Sequence, residues 1–130
     1  MEISSTLQDQ FANAIDTACT AGTAHARFYS AAYAAKLATC PMNSPAFGAA
    51  SSGVITMGTA TAVQDTSPVA GTAAILALYA TTAAAATAFV VAMGVAATGS
   101  EITMANTTIA TTDTVQVSSL TITVPTGSPS

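Results

Sequence analysis

Residues 73–97 read AAILALYATTAAAATAFVVAMGVAA, and how this run folds decides the architecture. It lies inside a stretch, Thr66 to Ser100, without a charged residue. Its 25 residues exceed the roughly 20 that a helix needs to cross a bilayer. The composition argues against that reading. Most positions are Ala or Thr, Thr81 and Thr82 sit mid-run, and no Lys or Arg flanks it. The spacing predicts two apolar strands joined at Thr81–Thr87. Thr72 to Ala80 is apolar on both faces, as a covered central strand is. Ala88 to Val95 puts Phe89, Val91, Met93 and Val95 on one face and small residues on the other.

Downstream, Thr98-Gly99-Ser100 predicts a turn, after which Ile102 and Met104 alternate with polar neighbours. Thr114 to Val124 is the clearest strand run. Val115 and Val117 share one parity, while Leu120, Ile122 and Val124 share the other. A bulge at Ser118-Ser119, or a strand covered on both faces, accommodates both sets. Pro125 ends the strand, and 126–130 reads as a flexible tail.

Upstream, Gly53 to Gln64 alternates around Ile55, Met57 and Val63, and Asp65 to Gly71 with Pro68 reads as a turn. Residues 24–30 predict an aromatic strand. Residues 31–52 read as irregular, punctuated by Pro41, Pro45 and Gly48. Residues 4–21 predict a helix. Ser5 and Gln8 have capping-box spacing, and Gly22 stands where a helix stops. Leu7, Phe11, Ile15 and Cys19 form its apolar stripe, with Asp9, Asn13 and Asp16 off it. The expected fold is mainly β: one domain over residues 1–125, an antiparallel β-sandwich or small barrel with one N-terminal helix.

The chain has 130 residues, one domain's worth. Ala accounts for 31 and Thr for 23 of them, and charged residues for only 6% against the usual quarter. Arg27 and Lys36 are the only basic side chains, so a nucleic-acid footprint or a polybasic membrane segment is excluded. A surface this poor in charge predicts cover by partners. The opening Met-Glu-Ile-Ser-Ser lacks the basic and apolar regions of a signal peptide, which predicts a protein kept in the cytoplasm until assembly.

Little in the chain suggests catalysis. His25 is the one imidazole, and no Ser carries a nucleophile-elbow pattern. The six acids, Glu2, Asp9, Asp16, Asp65, Glu101 and Asp113, are scattered singly. Cys19 and Cys40 have no metal-ligand spacing and read as free buried thiols. The expectation is no enzyme, no cofactor and no metal. Asn106-Thr107-Thr108 matches a glycosylation acceptor but reads as a loop or hairpin segment. His25, Arg27, Phe28, Tyr29 and Tyr33 cluster aromatic and basic groups, and read as a core strand with one snorkelling Arg, with a binding groove as the alternative. Tyr29, Tyr33 and Tyr79, if exposed and coplanar, would favour a small carbohydrate-binding module instead.

The helix Leu7 to Ile15 is followed by the aromatic strand Ala26-Arg27-Phe28-Tyr29-Ser30 and the Gly-Thr-Ala strand Gly71 to Tyr79. Then come Gly99 to Met104, Asn106-Thr107-Thr108-Ile109-Ala110 and a closing strand Leu120 to Pro125. In this succession the chain resembles a family of small tailed-bacteriophage structural proteins, whose mid-chain strand often carries Phe-Arg before Leu-Tyr where this chain has Leu76-Ala77. The resemblance implies a virion component assembled in the host cytoplasm. The expected role is a capsid cement or decoration protein that stabilises the head shell. Its expected partners are the major capsid protein or other virion proteins, and further copies of itself, with a trimer as the candidate. Alternatives are a tail, neck or fibre component, a small binding module, or a membrane-spanning oligomer. Loops and termini carry such contacts. The expected contact residues are therefore Cys40, Pro41, Asn43, Pro45, Phe47, Asp65, Pro68, Thr126 and Pro129.

Overall fold

The computed structural model describes residues 3–19, 24–80, 89–97, 102–104 and 106–124. The expected helix stop at Gly22, the join at Thr81–Thr87, the turn at 98–100 and the tail at 126–130 lie outside them. The chain opens with helix α1 (Ser5–Cys19). Strands follow in the order β1 (His25–Tyr29), β2 (Lys36–Pro41), β3 (Val54–Thr56), β4 (Val63–Asp65) and β5 (Gly71–Thr72). The second half holds β6 (Ile75–Tyr79), β7 (Val91–Ala96), β8 (Ile102–Thr103), β9 (Thr108–Ile109), β10 (Val115–Val117) and β11 (Thr121–Thr123).

The decisive segment therefore holds two strands, β6 and β7, paired antiparallel from Ile75↔Gly94 to Leu78↔Val91. Among the described residues no helix is long and apolar enough to cross a membrane. The sheet order is β2-β1-β6-β7-β8, with β6 in the centre and only β7 and β8 parallel. Strand alternation explains why β6 is apolar on both faces. Leu76 and Leu78 enter the main core, while Ala77 and Tyr79 bury on the reverse face with Tyr29.

Opposite the main face lie two short antiparallel ladders, β10 with β4 and β11 with β3. A third, β5 with β9, stands beside them. Ile55, Met57, Val63, Val115, Val117, Leu120 and Ile122 meet Phe28, Leu76, Leu78, Met93 and Val95 in one core. The fold is mainly β with antiparallel sheets and one N-terminal helix. It is not a closed barrel.

Three local expectations are corrected. The irregular reading of 31–52 misses β2. There Leu37, Ala38 and Cys40 are all buried, and a register shift between Phe28 and Tyr29 breaks the alternation that would mark a strand. Gly53 to Gln64 is not one strand but β3 and β4, with residues 58–62 looped out between them. Thr114 to Val124 likewise divides at 118–120, where a bulge was expected. The division places Val115, Val117, Leu120 and Ile122 in the same core, as the bulge would have done.

A fourth correction concerns α1. Ser4, not Ser5, caps it: Leu7 N–H donates to Ser4 Oγ at 3.3 Å. Gln8 is no capping partner but a buried side chain whose Nε2 finds no hydrogen bond. The helix buries Gln8, Ala12 and Cys19, leaving Leu7 and Phe11 of the expected core stripe 41% and 51% exposed.

Candidate partner-contact surface

The rotation of α1 has a cause in its polar residues. Asp9 Oδ1 accepts from Gly53 N–H at 2.6 Å, Asn13 Oδ1 from Ala50 N–H at 3.2 Å, and Asp16 Oδ1 from Phe47 N–H at 3.2 Å. The helix positions rise as the loop positions fall, so loop 47–53 runs antiparallel along this face. Spacings of four and three place the acceptors on one side of the helix. Loop backbone has no ladder of its own, so its N–H groups need such partners. Gly53 meets the helix closely at φ +76°, where a Cβ would stand 2.8 Å from Gln8 Cβ. The ladder turns the outer face, with Leu7 and Phe11, toward solvent.

The expected contact residues separate into exposed and internal positions. Pro41 and Pro45 are exposed, and Asn43 and Asp65 are half-buried. Cys40 and Phe47 are buried, as is Pro68, so a partner reaching these loops meets their neighbours. Thr126 and Pro129 lie outside the described residues. Asn43 clamps the looped-out segment: its Nδ2 donates to Gly58 O at 2.7 Å and Thr61 O at 2.9 Å, and Thr61 N–H donates to its Oδ1 at 2.9 Å. An open cleft of about 570 Å³ separates 41–44 from 60–64. Asp65 serves the edge of β2, accepting from Thr39 N–H at 2.9 Å and from Ser67 N–H at 2.8 Å. Asp113 accepts from Ala110 N–H at 2.8 Å. Each of the four described acids thus binds backbone N–H, which leaves the scarce charges holding loops.

Both cysteines are free and buried. Burial first, then the Asp16 charge, pushes the Cys19 thiol up to about 11. Burial and then Asp65 push Cys40 up to about 12, and its thiol donates to Val115 O at 3.6 Å. Thiols held protonated in this way are poor nucleophiles and poor metal ligands. Among the described residues no group of three His, Cys, Asp or Glu is placed to hold a metal ion.

On the reverse face of the large sheet Arg27 is buried, its guanidinium 4.8 Å from the Tyr79 ring centroid. The expected snorkelling Arg is thus drawn under the aromatic layer. Tyr29 and Tyr79 are buried and tilted by 51°, and Tyr33 meets Tyr29 edge-on at 60°. The three tyrosines do not make an exposed coplanar platform. Tyr33 stacks instead on Phe89 at 9°, and Phe89 is 42% exposed. Asn106 Oδ1 accepts from Thr108 N–H at 3.0 Å, a side-chain turn that leads into β9.

Among the described residues, the exposed large apolar side chains are Leu7 and Phe11 on α1, Val69 in the loop before β5, and Phe89 against Tyr33. Helical periodicity or strand alternation places Leu7, Phe11 and Phe89 in the core. For Leu7 and Phe11 the sequence signal is the Asp9, Asn13, Asp16 spacing, which competes with the apolar stripe for the inward side. Compared with known proteins, the chain matches no family model, no curated sequence and no solved structure.

Proposed function

We propose that this chain is a non-enzymatic structural subunit of a tailed-bacteriophage virion, a cement or decoration protein that binds the assembled head shell. The observation that carries the reading is the fate of its charges. Asp9, Asp16, Asp65 and Asp113 are all engaged by backbone N–H groups, while the outer helix face offers Leu7 and Phe11. A surface of this kind packs against another protein without stranding charges away from water. Burying it across shell subunits favours the assembled state by mass action, and repeated copies multiply weak contacts. The partner is the major capsid protein, and the site of action is the virion assembled in the host cytoplasm.

The test is cosedimentation of the purified chain with shells assembled from the major capsid protein alone, followed by heating of the pellets. Saturable binding at a fixed stoichiometry, with shells surviving to a higher temperature, is the expected outcome. A soluble chain that ignores the shells removes the cement role.

A further inference from the structure

The fold leaves a gap between the outer edges of β7 and β11. The β11–β3 register, with Met57 N–H on Leu120 O at 2.8 Å and Val124 N–H on Gly53 O at 2.9 Å, turns Leu120, Ile122 and Val124 toward β3. Antiparallel alternation then points the N–H and C=O of Thr121 and Thr123 away from β3, into the gap. On the opposite wall, Val95 N–H donates to Ala74 O at 2.9 Å, so alternation turns the backbone groups of Ala92 outward from β6. Among the described residues, β8 pairs with Val95 and Ala96 and not with Ala92. Between the two edges lies an open groove of about 440 Å³, with Ile15, Met93 and Ile122 among its lining residues.

Two strand edges beside an apolar floor are what an added strand requires. Backbone bonds to the edges hold it, and alternate side chains fill the floor. We propose that this groove accepts an extended, uncharged segment of another polypeptide, with apolar residues at alternate positions. The absence of charge sets the chemistry. Among the described residues no ionisable side chain lines the groove, so against these residues a charged segment would lose hydration without gaining a counter-charge. The source is a different protein rather than a second copy, because the described strands of this chain are all committed to its own sheets. A lone strand also fits where a sheet edge does not, since the groove is walled on both sides. The proposal rests on the cement reading in taking the donor to be a shell subunit, and the groove itself is testable without shells.

The probe is a capped peptide, acetyl-Thr-Val-Thr-Val-Thr-amide, titrated into the full chain while amide exchange is followed residue by residue. The expected result is at least tenfold slower exchange at Ala92, Thr121 and Thr123. A peptide with Lys and Glu in place of Val should give none of this protection. Thr123→Pro deletes an outward N–H and leaves the β3 ladder intact, so it should abolish the protection. Ile15→Glu, a charge on the groove floor away from both edges, should weaken it and guards against a Pro variant that fails to fold. No protection at millimolar peptide, or equal protection in folded Thr123→Pro, overturns the proposal. So does protection in the free chain that vanishes on deleting 125–130, which assigns the groove to the chain's own end. Protection that rises with protein concentration alone assigns it to a second copy and also overturns it. Shell cosedimentation separates the two readings. If wild type ignores shells, the cement role falls while the peptide result stands. If Thr123→Pro binds shells as wild type does, the groove is not the shell contact.

Discussion

Asn43 concentrates three hydrogen bonds in one side chain, and all of them go to backbone that no ladder supports. Asn43→Ala should lower stability by about 1 kcal/mol, chiefly through the half-buried bond to Gly58 O, because water can replace the two exposed bonds to Thr61. A shift in urea midpoint at constant slope checks this. Gly53→Ala should cost about as much, because φ +76° and the Gln8 contact both oppose a Cβ. The thiols predict an alkaline limit. Below pH 9 Cys19 and Cys40 are neutral in both the folded and the unfolded chain. Above it the unfolded thiols ionise, while the folded ones hold their protons to about 11 and about 12. Stability is therefore full below pH 9 and is lost as pH rises through that window. Tyr79, pushed above its ordinary value mainly by burial, adds to the loss. Urea midpoints measured from pH 8.5 to 11.5 should fall, and the fall should be shallower in a Cys19→Ala, Cys40→Ala variant.

At the scale of elements, α1 acts as a splint for loop 47–53 rather than as an apolar plug. Asp9→Ala should cost about 1–3 kcal/mol, since the Gly53 N–H it serves is on a buried residue. Exchange at Gly53, Ala50 and Phe47 should quicken in that variant while the β1–β6 ladder stays protected. Phe11→Ser should behave differently. Its side chain is half exposed, so stability should move by no more than about 0.5 kcal/mol. Binding to shells, measured by cosedimentation, should weaken if this helix face meets the partner.

At the scale of the whole molecule, the parts legible in sequence were those fixed by local composition and alternation. The strand at 91–96 alternates, 75–79 is apolar on both faces as a covered central strand is, and 25–29 carries the aromatic bulk of a strand; all three form in the fold. Mainly β character with one N-terminal helix follows from those segments, from the 3.6-residue period before residue 20, and from too few charges for disorder. What periodicity could not determine depends on partners distant in the chain. β2 is hidden because a register shift against β1 buries Leu37 beside Ala38. The breaks at 58–62 and 118–120 arise because two segments about sixty residues apart must keep one core while differing in length. The face of α1 that turns inward is chosen by loop N–H groups 31 to 44 residues away, whose need for acceptors outweighs two apolar side chains. The positions of Cys40, Phe47 and Pro68 inside the molecule follow from the same long-range packing. The groove between β7 and β11 exists only because those edges, 30 residues apart in sequence, face each other across Ile15. Local physics therefore settled which segments extend or coil, whereas burial and backbone satisfaction, summed over the whole chain, decided which side each one shows.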